Sequence, residues 1–151
     1  MQRGFLLLAQ PHREVHLREP MMETFTTTRL PETPVAIAPD GTDVRPLLQL
    51  KQGSFAHFEL APGRTSFAVA HRTVEEIWFF LAGRGEVWRR NKVQEETVPV
   101  KAGVCLTIPL GTQFQFRCFG SEPLGFVAMT MPPWPGEDEA YRVEGKWQPT
   151  F

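Results

Sequence analysis

Between residues 24 and 131 the chain is divided into short apolar and β-branched runs by glycine, proline and asparagine. No run carries a stripe of apolar residues at helical spacing. Short strands at regular spacing, with turn residues between them, are typical of an all-β sandwich or barrel. We therefore predict an all-β fold with strands over residues 24–30, 35–38, 44–50, 54–60, 67–71, 76–81, 85–90, 96–100, 105–108, 113–119 and 124–131.

The connections between these runs contain the residues that tight turns require. Residues 61–63, 82–85, 90–92 and 109–111 each contain Gly, Pro or Asn. Glycine adopts positive φ at little cost, and proline fits where a backbone donor can be spared. We expect these four segments to be turns between strands.

The length and composition of the chain indicate one domain. The 151 residues, 42% of them hydrophobic, are enough for a sizeable core and too few for two domains of ordinary size. Residues 1–23 lack strand or helix periodicity, so we predict a flexible N-terminal arm there. Residues 24–131 are predicted to form the barrel, and residues 132–151 a C-terminal extension that packs on it.

The C-terminal extension opens with a proline-rich, acidic segment over residues 132–139, which is typical of stiff, irregular structure. Three aromatic residues, Trp134, Tyr141 and Trp147, lie in the extension. These side chains either anchor the extension on the barrel or make it a lid over the barrel mouth, because long irregular segments are often functional. The sequence leaves both interpretations open.

The charge pattern argues against two classes of partner. Sixteen Lys and Arg against 17 Asp and Glu leave a net charge of -1, and the longest basic run is the pair Arg89 and Arg90. A nucleic-acid backbone requires a basic surface, so no nucleic acid is expected. No run reaches the roughly 20 apolar residues that span a bilayer, so no membrane is expected either.

The two cysteines indicate the compartment. Cys105 and Cys118 stand in strand-like runs without the spacing of a metal site, so we expect buried free thiols in a reducing environment. The apolar run over residues 5–9 is too short for the core of a signal peptide. We therefore predict a cytoplasmic protein.

Two sets of spaced residues carry a more specific signal than the strand pattern. The first set is Gly63, Val69, His71, Glu76 and Gly83, and the second is Gly103, Pro109, Gly111, Phe114 and Cys118. Their intervals resemble those of the two conserved motifs of the cupin superfamily. The resemblance implies a double-stranded β-helix, which is a jelly-roll barrel of two antiparallel sheets around a cavity. It also implies a homodimer, since small cupins commonly bury an edge strand against a partner.

The same resemblance implies a metal site of which only half is present. Cupins usually hold a divalent metal with two His and one Glu from the first motif and one His from the second. The matching positions here are Val69, His71, Glu76 and Phe114. Val69 and Phe114 have no donor atom, and two protein ligands seldom retain a divalent metal such as Fe, Mn, Ni or Zn.

Replacement ligands would keep the metal alternative open. The candidates are His57 on the preceding strand, Glu75 beside Glu76, and Gln113 if a bulge after Gly111 rotates the strand by one residue. With one of these, the chain would be a metal-dependent cupin enzyme of the dioxygenase or isomerase type. The cofactor is therefore predicted to be either none or a divalent metal.

Strand alternation predicts the lining of the cavity. Because side chains alternate between the two faces of a strand, Val69 and His71 share one face. Trp78 and Phe80 share a face with Glu76, and Phe114 and Phe116 share one on a later strand. In a cupin barrel these are the inward faces. We expect an aromatic cavity around one imidazole and one carboxylate, with Gln113, Gln115 and Arg117 on the opposite face.

His71 and Glu76 are the candidate catalytic residues. A carboxyl and an imidazole side by side in an apolar pocket form a plausible acid/base couple, because burial shifts the pKa of both. The alternative is a hydrogen-bonded pair that satisfies itself in the core. The sequence favours a small-molecule-binding protein in which these residues orient a polar group of the ligand. A cavity filled by the protein's own side chains would indicate a structural role.

Overall fold

Eleven β-strands make up the regular secondary structure of residues 24–151, the part of the chain that this computed structural model describes. They are β1 (Ala36–Ile37), β2 (Asp43–Leu50), β3 (Gly53–Leu60), β4 (Val69–His71), β5 (Glu75–Ala82), β6 (Arg84–Arg90), β7 (Glu95–Lys101), β8 (Cys105–Ile108), β9 (Gln113–Phe119), β10 (Leu124–Met131) and β11 (Ala140–Arg142). Within these residues no helix is long and apolar enough to cross a membrane. The predicted N-terminal arm lies outside the described residues.

The strands form two antiparallel sheets that face each other. One has six strands in the order β1-β2-β3-β10-β5-β8, and the other has five in the order β11-β4-β9-β6-β7. Chain neighbours such as β3 and β4 lie in different sheets, which is the jelly-roll arrangement that the motifs predict. In the six-stranded sheet, β10 lies between β3 and β5, and its register pairs Thr130 with Glu76.

The core lies between the sheets and is built around Trp78. On β5, Trp78 and Phe80 are buried, whereas the alternate residues Ile77 and Phe79 are 42% and 43% exposed. The indole of Trp78 stacks on the ring of Phe126 at a centroid distance of 4.4 Å and meets the ring of Phe116 edge to face at 5.3 Å. Each such aromatic pair contributes about 0.5–1.5 kcal/mol beyond its buried area.

The motif glycines have the backbone conformation that the turns require. Gly63, Gly83, Gly103 and Gly111 have φ angles of 72°, 74°, 93° and 80°. Gly83 also lies against the backbone of Pro123, so that a Cβ atom there would overlap the Pro123 carbonyl. Only glycine combines this conformation with so close an approach. The spacing of the motifs therefore follows from where the barrel must turn.

The predicted strands agree with the structure except at the two ends of the barrel. The bounds of β8, β9 and β10 are those predicted. The strand predicted over residues 24–30 is wrong, because this segment pairs with no strand of the described residues and Phe25 is fully exposed. β11 was not predicted, because it is short and exists only by pairing with β4. In both cases the partner strand decides the outcome and local propensity does not.

The two cysteines are free, as expected, but only one is buried. Cys118 faces the core from β9, whereas Cys105 is exposed on β8. The prediction of a buried thiol is therefore wrong for Cys105. The reason is that β8 forms the edge of its sheet and directs Cys105 outward.

The C-terminal residues cover the outer face of the five-stranded sheet. The side chain of Gln115 points away from the cavity, as alternation predicts, yet it is fully buried. Its amide nitrogen donates to the carbonyls of Ser66 and Trp147, and its amide oxygen accepts from the Trp147 N–H. Thr150 bonds to Thr65 further along. This pairing replaces water at a face that sequence alone would leave exposed.

Candidate functional site

A cavity of about 560 Å³ lies between the two sheets at one end of the barrel. Strands of both sheets and the segment that follows β10 contribute to its wall. Its aromatic lining residues are Phe55, Phe58, Trp78, Phe114, Phe126 and Trp134. The volume is in the range of small-molecule sites, which are mostly apolar with a few polar groups that fix orientation. The polar groups of this wall are therefore the candidates for ligand contacts.

Glu76 is the buried carboxylate of the cavity wall. Its Oε2 accepts the indole N–H of Trp78 at 2.7 Å, and its Oε1 accepts the hydroxyl of Thr130 at 2.7 Å. Burial raises the pKa of Glu76, although these two hydrogen bonds lower it in part. Both carboxylate oxygens therefore already have a donor, which holds the group in one orientation.

His71 is the buried imidazole of the wall and ends β4. Its ring meets those of Phe114 and Trp134 edge to face at 5.2 and 5.4 Å. Its Nδ1 is buried and has no hydrogen-bond partner within residues 24–151. Burial lowers the pKa of His71, opposed by the charges of Asp40 and Glu139. A buried imidazole thus lines the cavity, with its Nδ1 enclosed in the wall.

His71 and Glu76 line the same cavity without binding each other. They belong to opposite sheets, and the described part of the chain has no hydrogen bond between them. The alternative of a self-satisfied pair is therefore wrong, because Trp78 and Thr130 take the place that the imidazole would have. The cavity retains two polar groups that can act on a ligand separately.

Asp40 is a third ionisable group of the wall that the sequence did not indicate. Its Oδ1 accepts the backbone N–H of Thr42 at 3.0 Å and the hydroxyl of Thr42 at 2.6 Å. Burial is the main cause of its raised pKa. Asp followed by Gly41 is an ordinary turn sequence, so nothing local distinguishes this residue from a solvent-exposed turn aspartate.

Glu139 lies behind the wall and holds the connection between β4 and β5. Its carboxylate accepts the backbone N–H groups of Thr73 and Val74 at 2.6 and 2.7 Å, and the Thr73 hydroxyl at 2.8 Å. Burial raises the pKa of Glu139, but the hydrogen bonds from Thr73 and Val74 lower it below its ordinary value overall. The connection that carries the chain from His71 to Glu76 is therefore fixed by a residue from the C-terminal extension.

Three of the five predicted lining residues lie in the cavity wall, namely Val69, Trp78 and Phe114. Phe80 and Phe116 face inward as predicted but are fully buried in the aromatic core behind Trp78. Their placement in the lining is corrected for this reason. Alternation gives the face of a residue, but its depth along the barrel depends on how the sheets close.

The predicted replacement ligands do not converge on His71 and Glu76. His57 lies between Ala56 and Phe58, which both line the cavity, so its side chain is on the other face of β3. There its Nδ1 is 4.0 Å from Glu59. The amide oxygen of Gln113 accepts two bonds from Arg90 at 3.0 and 2.8 Å, and Glu75 is exposed. No bulge turns Gln113 inward, because β9 keeps a continuous register with β6.

The donor set of this chain does not fit the metal site of the family. Over residues 24–151 no three His, Cys, Asp or Glu side chains lie close enough together to hold an ion. The carboxylate oxygens of Glu76 are also both engaged by donors that a metal would have to displace. A first-row metal requires three or four converging donors.

Comparison with known proteins gives the family and the fold. Residues 56–130 match the family model described as "Cupin domain". An uncharacterized protein of Methanocaldococcus jannaschii is 32% identical over 108 residues, which cover 68% of this chain and 82% of the relative.

Several solved structures have the same fold. A predicted oxalate decarboxylase from Thermotoga maritima has a TM-score of 0.60 at 24% identity, covering 71% of this chain and 99% of its own. Streptomyces PAC13, in a structure with uridine, has a TM-score of 0.60 at 16% identity, covering 79% and 92%. A protein from Klebsiella pneumoniae described as having a double-stranded beta-helix domain has a TM-score of 0.56 at 19% identity, covering 69% and 85%. At these identities the likeness shows the fold alone.

Proposed function

This chain belongs to the cupin superfamily, and on that basis we propose that it binds a small molecule in the barrel cavity, where His71 and Glu76 orient a polar group of the ligand. The observation that carries the proposal is a cavity of about 560 Å³ whose mostly aromatic wall contains two ionisable side chains, the imidazole of His71 and the carboxyl of Glu76. Small-molecule sites combine such apolar walls with a few polar groups that fix the orientation of the ligand.

The composition of the wall supports a role for His71 and Glu76 in orienting the ligand. The aromatic rings supply apolar contact area, and each polar group fixes one direction of the ligand. Glu76 is held by Trp78 and Thr130, so it presents a carboxyl in a fixed position. The ring of His71 packs edge to face against Phe114 and Trp134, so its orientation in the wall is also fixed.

An acid/base role for the same two residues stays a prediction. Burial shifts the pKa of His71 down and that of Glu76 up, so each carries less charge at a given pH than it would in water. Such shifts bring a base and an acid toward the range in which proton transfer is efficient. Binding requires no proton transfer, and the proposal concerns binding.

The experiment is a fragment screen by ligand-observed NMR on wild type and on two tryptophan variants. Ala56 lines the cavity, so Ala56→Trp fills it, whereas Val93→Trp adds the same side chain at a position that is 86% exposed and outside the wall. We expect fragments that bind wild type and Val93→Trp but not Ala56→Trp. Equal binding to folded Ala56→Trp would contradict the proposal.

The roles of His71 and Glu76 are tested on the same fragments. His71→Ala and Glu76→Gln should each weaken binding by roughly tenfold, since each removes one charged or strongly polar contact worth about 1.5 kcal/mol. His57→Ala is the matched control, because His57 is equally buried but lies outside the cavity wall. Unchanged affinity in both site variants would make the pair structural.

The proposal includes a cytoplasmic homodimer. The outer face of β5 presents Ile77, Phe79 and Leu81, which are 42%, 43% and 47% exposed, and Met129 lies beside them on β10. An exposed apolar patch of this kind is typical of an association surface. Light scattering should give twice the monomer mass for wild type and the monomer mass for Phe79→Lys. A monomeric wild type would contradict the proposed homodimer.

A further inference from the structure

The charged residues of the cavity wall all have the same sign. Asp40, Glu76 and Glu137 line the cavity, and Glu139 lies behind His71. Among the residues of the wall that the structure describes, none is Lys or Arg. Any anionic ligand would therefore enter a site with several carboxyl groups and no cation to balance its charge.

The imidazole and the aromatic rings provide a second, independent indication of a ligand. His71 is only 7% exposed and lines the cavity, so its imidazole is a buried polar group of the wall. Trp78, Phe114 and Trp134 line the space around it. Aromatic faces attract organic cations, most strongly where water is excluded.

Asp40 has a carboxylate oxygen that is not used by the protein. Both hydrogen bonds that its side chain accepts end on Oδ1, from the N–H and hydroxyl of Thr42. No described residue donates a hydrogen bond to Oδ2, and Asp40 is part of the wall. Burial raises the pKa of both Asp40 and Glu76, so a nearby cation would stabilise their ionised forms.

We infer that the ligand of this cavity is a small organic cation, a protonated amine on an apolar body, whose ammonium group lies near Asp40 and Glu76 and whose apolar body contacts the aromatic wall. This inference rests on the proposed function and adds the charge class of the ligand. The amine N–H groups donate to Asp40 Oδ2. The neutral imidazole of His71 offers a further acceptor.

The test uses three probes of nearly equal size, of which one is positively charged, one is neutral and one is negatively charged. Benzylamine, benzyl alcohol and benzoate are titrated into the protein and followed by chemical-shift perturbation at neutral pH. We expect benzylamine to bind about tenfold more tightly than benzyl alcohol, which corresponds to about 1.4 kcal/mol, and benzoate to bind most weakly. Inorganic ammonium chloride at the same ionic strength shows how much of the effect requires the aromatic body.

Charge-removing variants identify the carboxyl groups responsible. Glu137→Gln at the exposed rim and Asp40→Asn in the wall should each weaken benzylamine several-fold and leave benzyl alcohol unchanged. Glu122→Gln is the control, because this substitution removes the same charge at an exposed position. Glu122 precedes the first residue of β10, whereas Thr130 lies near the last. If Asp40→Asn disturbs the turn, Glu137→Gln still tests the charge preference.

The outcomes separate this inference from the proposed function. Benzyl alcohol or benzoate binding as tightly as benzylamine would overturn the inference and leave cavity binding intact. Equal weakening by Glu122→Gln would also overturn it, since the effect would then come from net charge. Absence of binding by all three probes and by every fragment of the screen would overturn the proposed function together with the inference.

Discussion

Trp78 donates its indole N–H to the carboxylate of Glu76, two residues earlier on the inward face of β5, at 2.7 Å. The bond joins the centre of the aromatic core to the acidic group of the cavity. Because Thr130 occupies the other oxygen of Glu76, the carboxylate is oriented from two sides. The packing of the core thus determines which direction this polar group presents to a ligand.

Trp78→Phe should destabilise the protein more than Trp88→Phe. Both indoles are almost fully buried, and Trp88 donates to Glu95 at 2.8 Å. Glu95 is exposed, so water can replace the lost indole, whereas Glu76 is left short of a donor in a buried site at a cost of about 1–3 kcal/mol. Urea unfolding of both variants measures the difference. Equal losses would show that the bond to Glu76 contributes nothing beyond ring packing.

His71 should make wild type more sensitive to acid than His71→Gln. Burial lowers the pKa of His71 below 6.5, so the unfolded chain takes up this proton first as the pH falls. Stability is therefore present above pH 6.5 and is lost as the pH falls through that value towards the lower pKa of the folded state. The raised pKa of Glu76 acts in the opposite direction and is common to both proteins.

The measurement is the free energy of unfolding of the two proteins at about pH 7.5 and about pH 5.5. The difference, wild type minus His71→Gln, should decrease on going to the lower pH. A difference that does not change with pH would show that folding leaves the pKa of His71 unshifted, and one that increases would show that folding raises it.

Removal of residues 143–151 should destabilise the barrel. Gln115 would lose both contacts with Trp147, Thr65 would lose its contacts with Thr150, and the ring of Phe67 would lose its stack with Phe151. We expect a loss of at least about 2 kcal/mol in urea, since several hydrogen bonds and an aromatic pair are lost together. Lys146→Ala is the control, because its bond to Thr97 is exposed. A loss no larger than that of Lys146→Ala would show that these contacts do not stabilise the barrel.

Trp134→Ala should change ligand exchange more than it changes stability. Trp134 lines the cavity and contacts the His71 ring, yet is 36% exposed, so it covers the cavity without belonging to the core. Tyr141→Ala is the control, since Tyr141 is 39% exposed and stacks with Arg72 away from the wall. Dissociation rates of a fragment from the screen should rise several-fold for Trp134→Ala alone. A loss of stability with unchanged rates would make Trp134 an anchor.

Divalent metals should not stabilise the protein. A ligand that binds only the folded state raises the melting temperature, and the donor set around His71 and Glu76 lacks a third ligand in the described chain. We expect Fe²⁺, Mn²⁺, Ni²⁺ and Zn²⁺ each to shift the melting temperature by less than about 1 °C at concentrations well above typical site affinities. A reproducible increase for one ion that disappears in His71→Ala would establish a metal site.

The candidate site could be predicted only in part. For some of its residues the neighbouring sequence fixes whether the side chain faces the cavity, and for others the tertiary packing does. The inward faces of β4, β5 and β9 follow from alternation, so Val69, His71, Glu76, Trp78 and Phe114 were found. Asp40 was not found, because a turn aspartate enters the cavity only when β2 and the opposite sheet close over it. His57 was chosen by residue type, and its face of β3 excludes it from the wall.

The sequence by itself determined the barrel and its turns, because strand alternation and positive φ at glycine are properties of a few neighbouring residues. The tertiary structure decided the partners of the polar groups. Thr130 and Glu76 are 54 residues apart, and Glu139 and Thr73 are 66 residues apart. Such contacts arise only when both sheets and the C-terminal extension have packed, so no local sequence pattern predicts them. The same packing places Phe80 and Phe116 in the core behind Trp78 and, within residues 24–151, leaves the Nδ1 of His71 without a hydrogen-bond partner.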